Sequence, residues 1–252
     1  MIEIAGVSLV LGGNRILDNV SLAVPKGGVT ALVGPNGAGK SSLLSLIARL
    51  QPLQSGRITV DGLPVDTTPS RQLAKAMAIL RQDPGVASRL RVVELVGFGR
   101  FPHHRGSLTA KDREIIAASL ERFDLSDLAQ RFIDTLSGGQ RQRALVAMTF
   151  CQGTDYILLD EPLNNLDMFH ARNLMRTLRH IADEHGKTVL IVLHDINHAA
   201  AYADRIVAMK DGAIVASGDT NAIIRPDILE GIFGFPMRVE RVAGRLAVLH
   251  HI

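Results

Sequence analysis

Val29-Thr30-Ala31-Leu32-Val33-Gly34-Pro35-Asn36-Gly37-Ala38-Gly39-Lys40-Ser41-Ser42 is the stretch on which the reading of this chain turns. Its first five residues form a short apolar run that reads as a buried strand. The run breaks at a glycine-rich turn and resumes as an apolar helix over Ser42 to Ala48. Gly34 to Ser41 fits the pattern G-x-x-x-x-G-K-[ST], lying between a strand and a helix as the mechanism of that pattern requires. The glycines Gly34, Gly37 and Gly39 let backbone N–H groups converge on phosphate oxygens, with Pro35, Asn36 and Ala38 completing the loop. The positive end of the helix dipole at Ser41 and Ser42 adds to the attraction.

Working outward, four more short apolar runs alternate with helical stretches: Met77 to Leu80, Tyr156 to Leu159, Thr188 to Leu193 and Arg205 to Met209. That alternation predicts an α/β fold with a mainly parallel central sheet. Asn14 to Val24 alternates as a strand does, and Arg57 to Val65 carries an Asp61-Gly62 turn, so these segments predict an antiparallel flank at the amino-terminal side. Between about Asp83 and Phe150 strands are scarce. Thr109 and Asp112 open a helix there with a capping box, and Ile115, Ile116, Ser119, Leu120 and Phe123 share one of its faces. Asp167 is placed to cap a long helix that buries Leu174, Met175, Leu178, Ile181 and Ala182 and ends at Gly186. A terminal hairpin is expected through Ala243-Gly244. The organisation is thus one domain, with residues 1–82 and 151–220 as core, 83–150 as a helical insertion and 221–252 as a carboxy-terminal extension.

The 252 residues are 46% apolar, with 28 Lys and Arg against 25 Asp and Glu, which excludes disordered, collagen-like and disulfide-stapled classes. The net charge of +3 is small and scattered, so no nucleic-acid partner is expected. A single cysteine, Cys151, has no intrachain disulfide partner and sits in an apolar run. Met1-Ile2-Glu3-Ile4 lacks the pattern of an export signal, and no stretch approaches the roughly 20 apolar residues of a membrane span. A cytosolic chain is therefore expected, reaching a membrane only through a partner.

The chemistry is carried by three elements. In the phosphate loop, Lys40 is positioned to reach the β and γ phosphates of a nucleotide and Ser41 to offer its hydroxyl to Mg²⁺. Tyr156-Ile157-Leu158-Leu159-Asp160-Glu161 ends a buried strand in adjacent carboxylates. Metal-dependent hydrolysis uses one such acid, here Asp160, to hold Mg²⁺, and another, here Glu161, to orient or deprotonate water. Leu136-Ser137-Gly138-Gly139-Gln140 places a capping box at a helix start whose glycines permit close approach.

LSGGQ followed by Arg141-Gln142-Arg143, together with the phosphate loop and Leu159-Asp160-Glu161-Pro162, resembles the ATP-binding cassette (ABC) family over almost the whole chain. The resemblance implies that Gln82 is the Q-loop glutamine, sensing Mg²⁺ and the γ phosphate, that His194 is the switch histidine on the γ phosphate, and that Asp167 lies in the D-loop. It further implies a head-to-tail pair of copies with two ATP molecules between Lys40 of one and Ser137 of the other. Where the family usually stacks an aromatic ring on adenine, this chain has Leu11.

A P-loop kinase has no use for LSGGQ. Soluble cassettes acting on DNA or ribosomes usually carry coiled-coil or zinc insertions or a second cassette, which this sequence lacks. The detached ATPase subunit of a transporter remains, bound to the cytoplasmic face of a bacterial inner membrane through permease subunits, with a periplasmic or lipoprotein substrate-binding protein acting indirectly. Val93 to His104 and Glu161 to Met168 are similar to the importer group for ferric siderophores, haem and cobalamin, and a ferric siderophore is the expected cargo. The surface between Gln82 and Phe101 is expected to receive a cytoplasmic helix of the permease. His103 and His104 have no neighbouring Cys or carboxylate to complete a metal site, and His250 and His251 are read with the same caution.

Overall fold

A computed structural model describes residues 1–82, 89–104 and 106–251. The start of the expected permease surface and of the helical insertion, residues 83–88, lies outside the described residues, as does Ile252. The strands are β1 (Ile2–Leu11), β2 (Asn14–Val24), β3 (Gly28–Val33), β4 (Arg57–Val60), β5 (Leu63–Pro64), β6 (Met77–Leu80), β7 (Tyr156–Asp160), β8 (Thr188–Val192), β9 (Arg205–Lys210), β10 (Ala213–Asp219), β11 (Arg238–Val242) and β12 (Arg245–Leu249). The helices are α1 (Lys40–Ile47), α2 (Ser70–Ala76), α3 (Val92–Phe98), α4 (Ala110–Arg122), α5 (Gly138–Cys151), α6 (Met168–His185), α7 (Ile196–Tyr202), α8 (Thr220–Ile223) and α9 (Pro226–Phe233). They divide into two compact units, residues 1–68 with 188–252, and residues 69–187. This division differs from the boundaries read off the sequence pattern.

In the first unit β3 runs parallel to β8, with Gly28 opposite Thr188 and Leu32 opposite Val192, and parallel to β9, with Thr30 opposite Arg205. Antiparallel β10 extends this sheet beyond β9. Val29, Ala31, Leu32 and Val33 are all buried, as are Val189 to Val192, which is why both strands are continuous apolar runs rather than alternating ones. The flank is the antiparallel set β2-β1-β4-β5, with β1 paired to both β2 and β4. The strand β1 is absent from the sequence expectation. Its inward residues Ile2 and Ile4 are followed by Val7 and Leu9, so the alternation slips by one at Gly6, where φ is +60° and the pairing with β2 shifts register. The terminal hairpin β11–β12 turns at Ala243 and Gly244, both at positive φ. Asn197 fastens it: its amide donates to the Val248 carbonyl at 3.1 Å, and its oxygen accepts from the Val248 N–H at 2.8 Å.

In the second unit β6 and β7 are parallel, Met77 opposite Tyr156 and Leu80 opposite Leu159. Helices α3, α4 and α5 pack on one another. Thr109 caps α4 reciprocally with Asp112, and Ile116, Ser119, Leu120 and Phe123 are buried while Ile115 is only half-buried. Asp112 also receives Arg100 Nε at 2.9 Å, and the same guanidinium donates to the carbonyls of Cys151 and Gln152, so this buried pair ties α4 to the end of α5. The Thr109 hydroxyl and N–H, followed by Arg100, hold the Asp112 carboxyl far below the usual carboxylate range. Asp167 caps α6, which buries Leu174, Met175, Leu178, Ile181 and Ala182 and ends at Gly186 in the left-handed region. Cys151 is buried at the end of α5, and burial pushes its thiol pKa up. Among the described residues no helix is long and apolar enough to cross a membrane.

Candidate functional site

The phosphate loop joins β3 to α1 in the first unit. Helix α1 begins at Lys40, two residues earlier than its apolar face suggests, with Gly39 as N-cap at φ +95°. A Cβ on Gly34 would lie 2.0 Å from the Met209 carbonyl oxygen of β9, and one on Gly39 would lie 2.7 Å from Leu17 and 2.9 Å from the Ile16 oxygen. These two glycines are therefore imposed by the packing of neighbouring strands as well as by backbone angle. Lys40 is buried, and its Nζ curls back to donate to the Gly34 and Pro35 carbonyls, each at 2.8 Å. Anionic oxygens at the loop offer that ammonium stronger acceptors than neutral carbonyls. Asn36 and Gly37 are exposed, and Ser41 and Ser42 are half-buried.

His194 belongs to the same unit. It is exposed, two residues beyond β8, and the Leu193 N–H donates to Leu32 of β3 at 3.1 Å. The loop and the histidine thus emerge at the carboxyl ends of two adjacent parallel strands, where open α/β sheets bind ligands. Asp195 next to it caps α7 through the Asn197 N–H. Leu11 is exposed at the β1–β2 turn, opposite Asn14.

The second unit brings together Gln82, Asp160 and Glu161. Strand β7 delivers Asp160, 6% exposed, and Glu161, 9% exposed, so both carboxylates sit at the end of a buried strand. Glu161 has φ +50°, a conformation that turns the chain sharply out of the sheet. Its Oε2 accepts Gln82 Nε2 at 2.7 Å and Asn164 Nδ2 at 2.8 Å. Gln82 follows β6, whose pairing with β7 sets Leu80 beside Leu159 and so directs both chain ends the same way. The resemblance places Asn164 in the D-loop stretch Asn164 to Asp167 but gives a role there only to Asp167. For a tether to Glu161 the sequence offers a spacing of three from the carboxylate, which any turn asparagine shares.

Ser137 caps α5: its Oγ accepts from the Gln140 N–H at 3.2 Å, and the Gln140 side chain accepts from the Ser137 N–H at 3.1 Å. The close approach permitted by the glycines is to the D-loop, since Cβ atoms on Gly138 and Gly139 would lie 3.3 Å from Asn165 and Leu166. Asp167 Oδ1 accepts from the His170 N–H at 2.8 Å and lies 2.8 Å from His170 Nδ1. The backbone bond and then the ring hold its carboxyl below the usual range. The turn carrying Asp167 therefore packs at one end against the start of α5 and at the other caps α6.

The same unit holds an apolar groove of about 750 Å³, lined by Val93, Gly97, Phe98, Phe101, Ile116 and Leu120 among others. Phe98 and Phe101 are 52% and 68% exposed. His104 lines the groove, whereas His103 turns inward and donates from Nε2 to the Gln152 carbonyl at 2.7 Å. Burial lowers its pKa.

Known proteins resemble this chain in sequence and in fold. The ATP-binding protein FatE of Bacillus anthracis, named for petrobactin import, is 46% identical over 244 residues, covering 97% of both chains. The petrobactin import ATP-binding protein YclP of Bacillus subtilis (strain 168) is 45% identical over 242 residues, covering 96% of both. An ATP-binding cassette solved as a dimer in a post-hydrolysis state with ADP and Pi superposes with a TM-score of 0.79 at 27% identity, covering 87% of this chain and 99% of the other. The family described as ABC transporter matches residues 17–164, which contain the phosphate loop, helix α5 and the adjacent carboxylates Asp160 and Glu161. A phosphate loop pinned by β9, a self-capped LSGGQ helix and a strand-end carboxylate pair thus have one shared explanation: the chain belongs to the ABC transporter family as one of its ATP-binding cassettes.

Proposed function

We propose that this cassette hydrolyses ATP to drive uptake of an iron chelate, a ferric siderophore, through a separate membrane permease. The observation that carries the cargo is the likeness, over nearly the whole chain, to ATP-binding proteins named for petrobactin import. The chain acts at the cytoplasmic face of the bacterial inner membrane, held there by the permease, with a substrate-binding protein delivering cargo from the far side.

In this reading the loop from Gly34 to Ser42 wraps the phosphates, Lys40 exchanges its carbonyl partners for β and γ oxygens, and Leu11 packs on the base. Glu161 accepts a proton from the water that attacks the γ phosphorus. The bond from that phosphorus to the bridging oxygen breaks, releasing ADP and phosphate. His194 contacts the γ phosphate. Ser41 of one unit, and Gln82 and Asp160 of the other, carry hydroxyl, amide and carboxylate oxygens, hard donors of the kind that would hold Mg²⁺. Bound there, Mg²⁺ supplies charge neutralisation at the phosphates. Ser137 to Gln140 of a second copy close the site.

The groove beside Phe98 and Phe101 supports a permease contact, because large exposed apolar side chains around a concave surface suit an amphipathic helix. Deleting the chain in its own cells is expected to abolish uptake of iron-55 loaded on siderophore while leaving haem-bound iron uptake intact. Undiminished siderophore uptake overturns the cargo. Crosslinks from Val93 or Phe98 to the permease test the groove, and their absence beside productive crosslinks elsewhere on the chain removes it.

A further inference from the structure

Glu161 leaves β7 at φ +50°, and the turn that follows has a second left-handed residue, Asn165, at φ +64°. Between them Asn164 folds back on the carboxylate. Its Nδ2 donates to Glu161 Oε2 at 2.8 Å, and its backbone N–H donates to the Glu161 carbonyl at 3.3 Å. Gln82 Nε2 reaches the same Oε2 at 2.7 Å from a segment 79 residues away in sequence. Both donors are neutral amides, so they orient the carboxylate without cancelling its charge.

The two tethers differ in kind. Gln82 is exposed and attached through a separate strand, so its hold on Glu161 depends on how two chain segments meet. Asn164 is half-buried and sits in the same turn, three residues on, so its hold travels with Glu161. A base must be aimed to within a fraction of an ångström of the proton it takes, and a side chain attached at a strained turn residue needs an anchor that moves with it.

We propose that Asn164 is a positioning residue for hydrolysis, fixing Oε2 of Glu161 so that the carboxylate stays in one orientation towards the attacking water. The inference rests on the reading of Glu161 as the general base.

The test measures steady-state ATP turnover and fluorescent-nucleotide binding for wild type, Asn164→Leu, Asn164→Ala, Glu161→Gln and the double variant Glu161→Gln with Asn164→Leu. Leu fills the amide's volume without a donor, and Ala guards against a misfolded Leu variant. Each Asn164 variant is expected to lower kcat roughly 10- to 100-fold, with KM and nucleotide affinity within about 2-fold of wild type. In the Glu161→Gln background Asn164→Leu is expected to add no further loss, because no base remains to be aimed. Wild-type kcat in both Asn164 variants overturns the inference. So does an equal loss in both backgrounds, or a loss of nucleotide affinity that tracks the loss of turnover, since either marks a structural role. Normal turnover of Glu161→Gln removes the general-base reading itself, a separate result.

Discussion

At the scale of single residues, a glycine's role depends on what surrounds its missing side chain. Gly34 and Gly37 both lie in the phosphate loop at positive φ, +138° and +78°. A Cβ on Gly37 meets nothing within 4 Å, whereas one on Gly34 would sit inside contact distance of the Met209 carbonyl. Gly37→Ala is therefore expected to lose only the backbone preference, about 1 kcal/mol or a melting-temperature drop of about 2 to 4 °C. Gly34→Ala adds displacement of β9, and it is expected to lower the melting temperature at least twice as far and to abolish ATP binding. Calorimetry and nucleotide titration on the two variants check the ordering, and equal effects would remove the packing argument. In the ATPase reading the carboxylate of Glu161 separates binding from chemistry. Glu161→Gln keeps shape and most hydrogen bonding but takes no proton, so ATP binding is expected to persist while turnover falls about 10² to 10⁴ fold. Near-normal turnover in a phosphate-release assay removes Glu161 from that role.

Among the elements, those legible in the sequence are the ones whose local signal agrees with their packing. The run Met77 to Leu80 is a strand to the residue because three of its four side chains are buried and the charged Arg81 follows it. Helix α6 announces both ends, through Asp167 and Gly186. Strand β1 was lost because the slip at Gly6 breaks its period, and the Arg100–Asp112 pair because its partners are 12 residues apart and meet only when α4 packs. The phosphate loop, the Asp160-Glu161 pair and LSGGQ were legible as contiguous motifs, whereas the tether from Asn164 to Glu161 depends on turn geometry that no spacing encodes. Helix α4 makes two predictions. Removing the Thr109 hydroxyl leaves the Asp112 N–H without its side-chain acceptor, so Thr109→Ala is expected to destabilise the chain by about 1 kcal/mol, read as a denaturation midpoint shift. Asp112 has its folded-state pKa depressed by Thr109 and Arg100. Its contribution is therefore complete above the unfolded value of about 4 and declines as pH falls below it. The gap in melting temperature between wild type and Asp112→Asn is expected to hold from pH 7 to about 5 and to narrow on further acidification. A gap unchanged down to pH 3 would show that the carboxylate's charge is not what α4 uses.

For the whole molecule, the decisive quantity is how many copies surround a nucleotide. Lys40 and Ser41 belong to one compact unit of the chain and Ser137 to Gln140 to the other. In the ATPase reading the signature helix of one copy serves nucleotide held by a second. A two-fold pair of this kind buries two equivalent ATP molecules. Each copy carries a formal charge of +3, so two copies meet against a mild repulsion that bound Mg·ATP, an anion, offsets. In that reading hydrolysis removes the bridging γ phosphate, so the pair is expected to be transient in the active protein and to accumulate only when turnover is slowed. Sedimentation velocity of Glu161→Gln should therefore give a single copy without nucleotide or with ADP, and a pair with saturating Mg·ATP. Adding Ser137→Glu places a carboxylate where the same reading docks the γ phosphate, at a helix start whose N–H groups otherwise favour an anion. That variant is expected to bind nucleotide with unchanged affinity and remain single. A Glu161→Gln protein that stays single under saturating Mg·ATP would mean that each copy works alone. It would then leave LSGGQ no role in binding a partner's nucleotide beyond the helix cap it forms with Gln140.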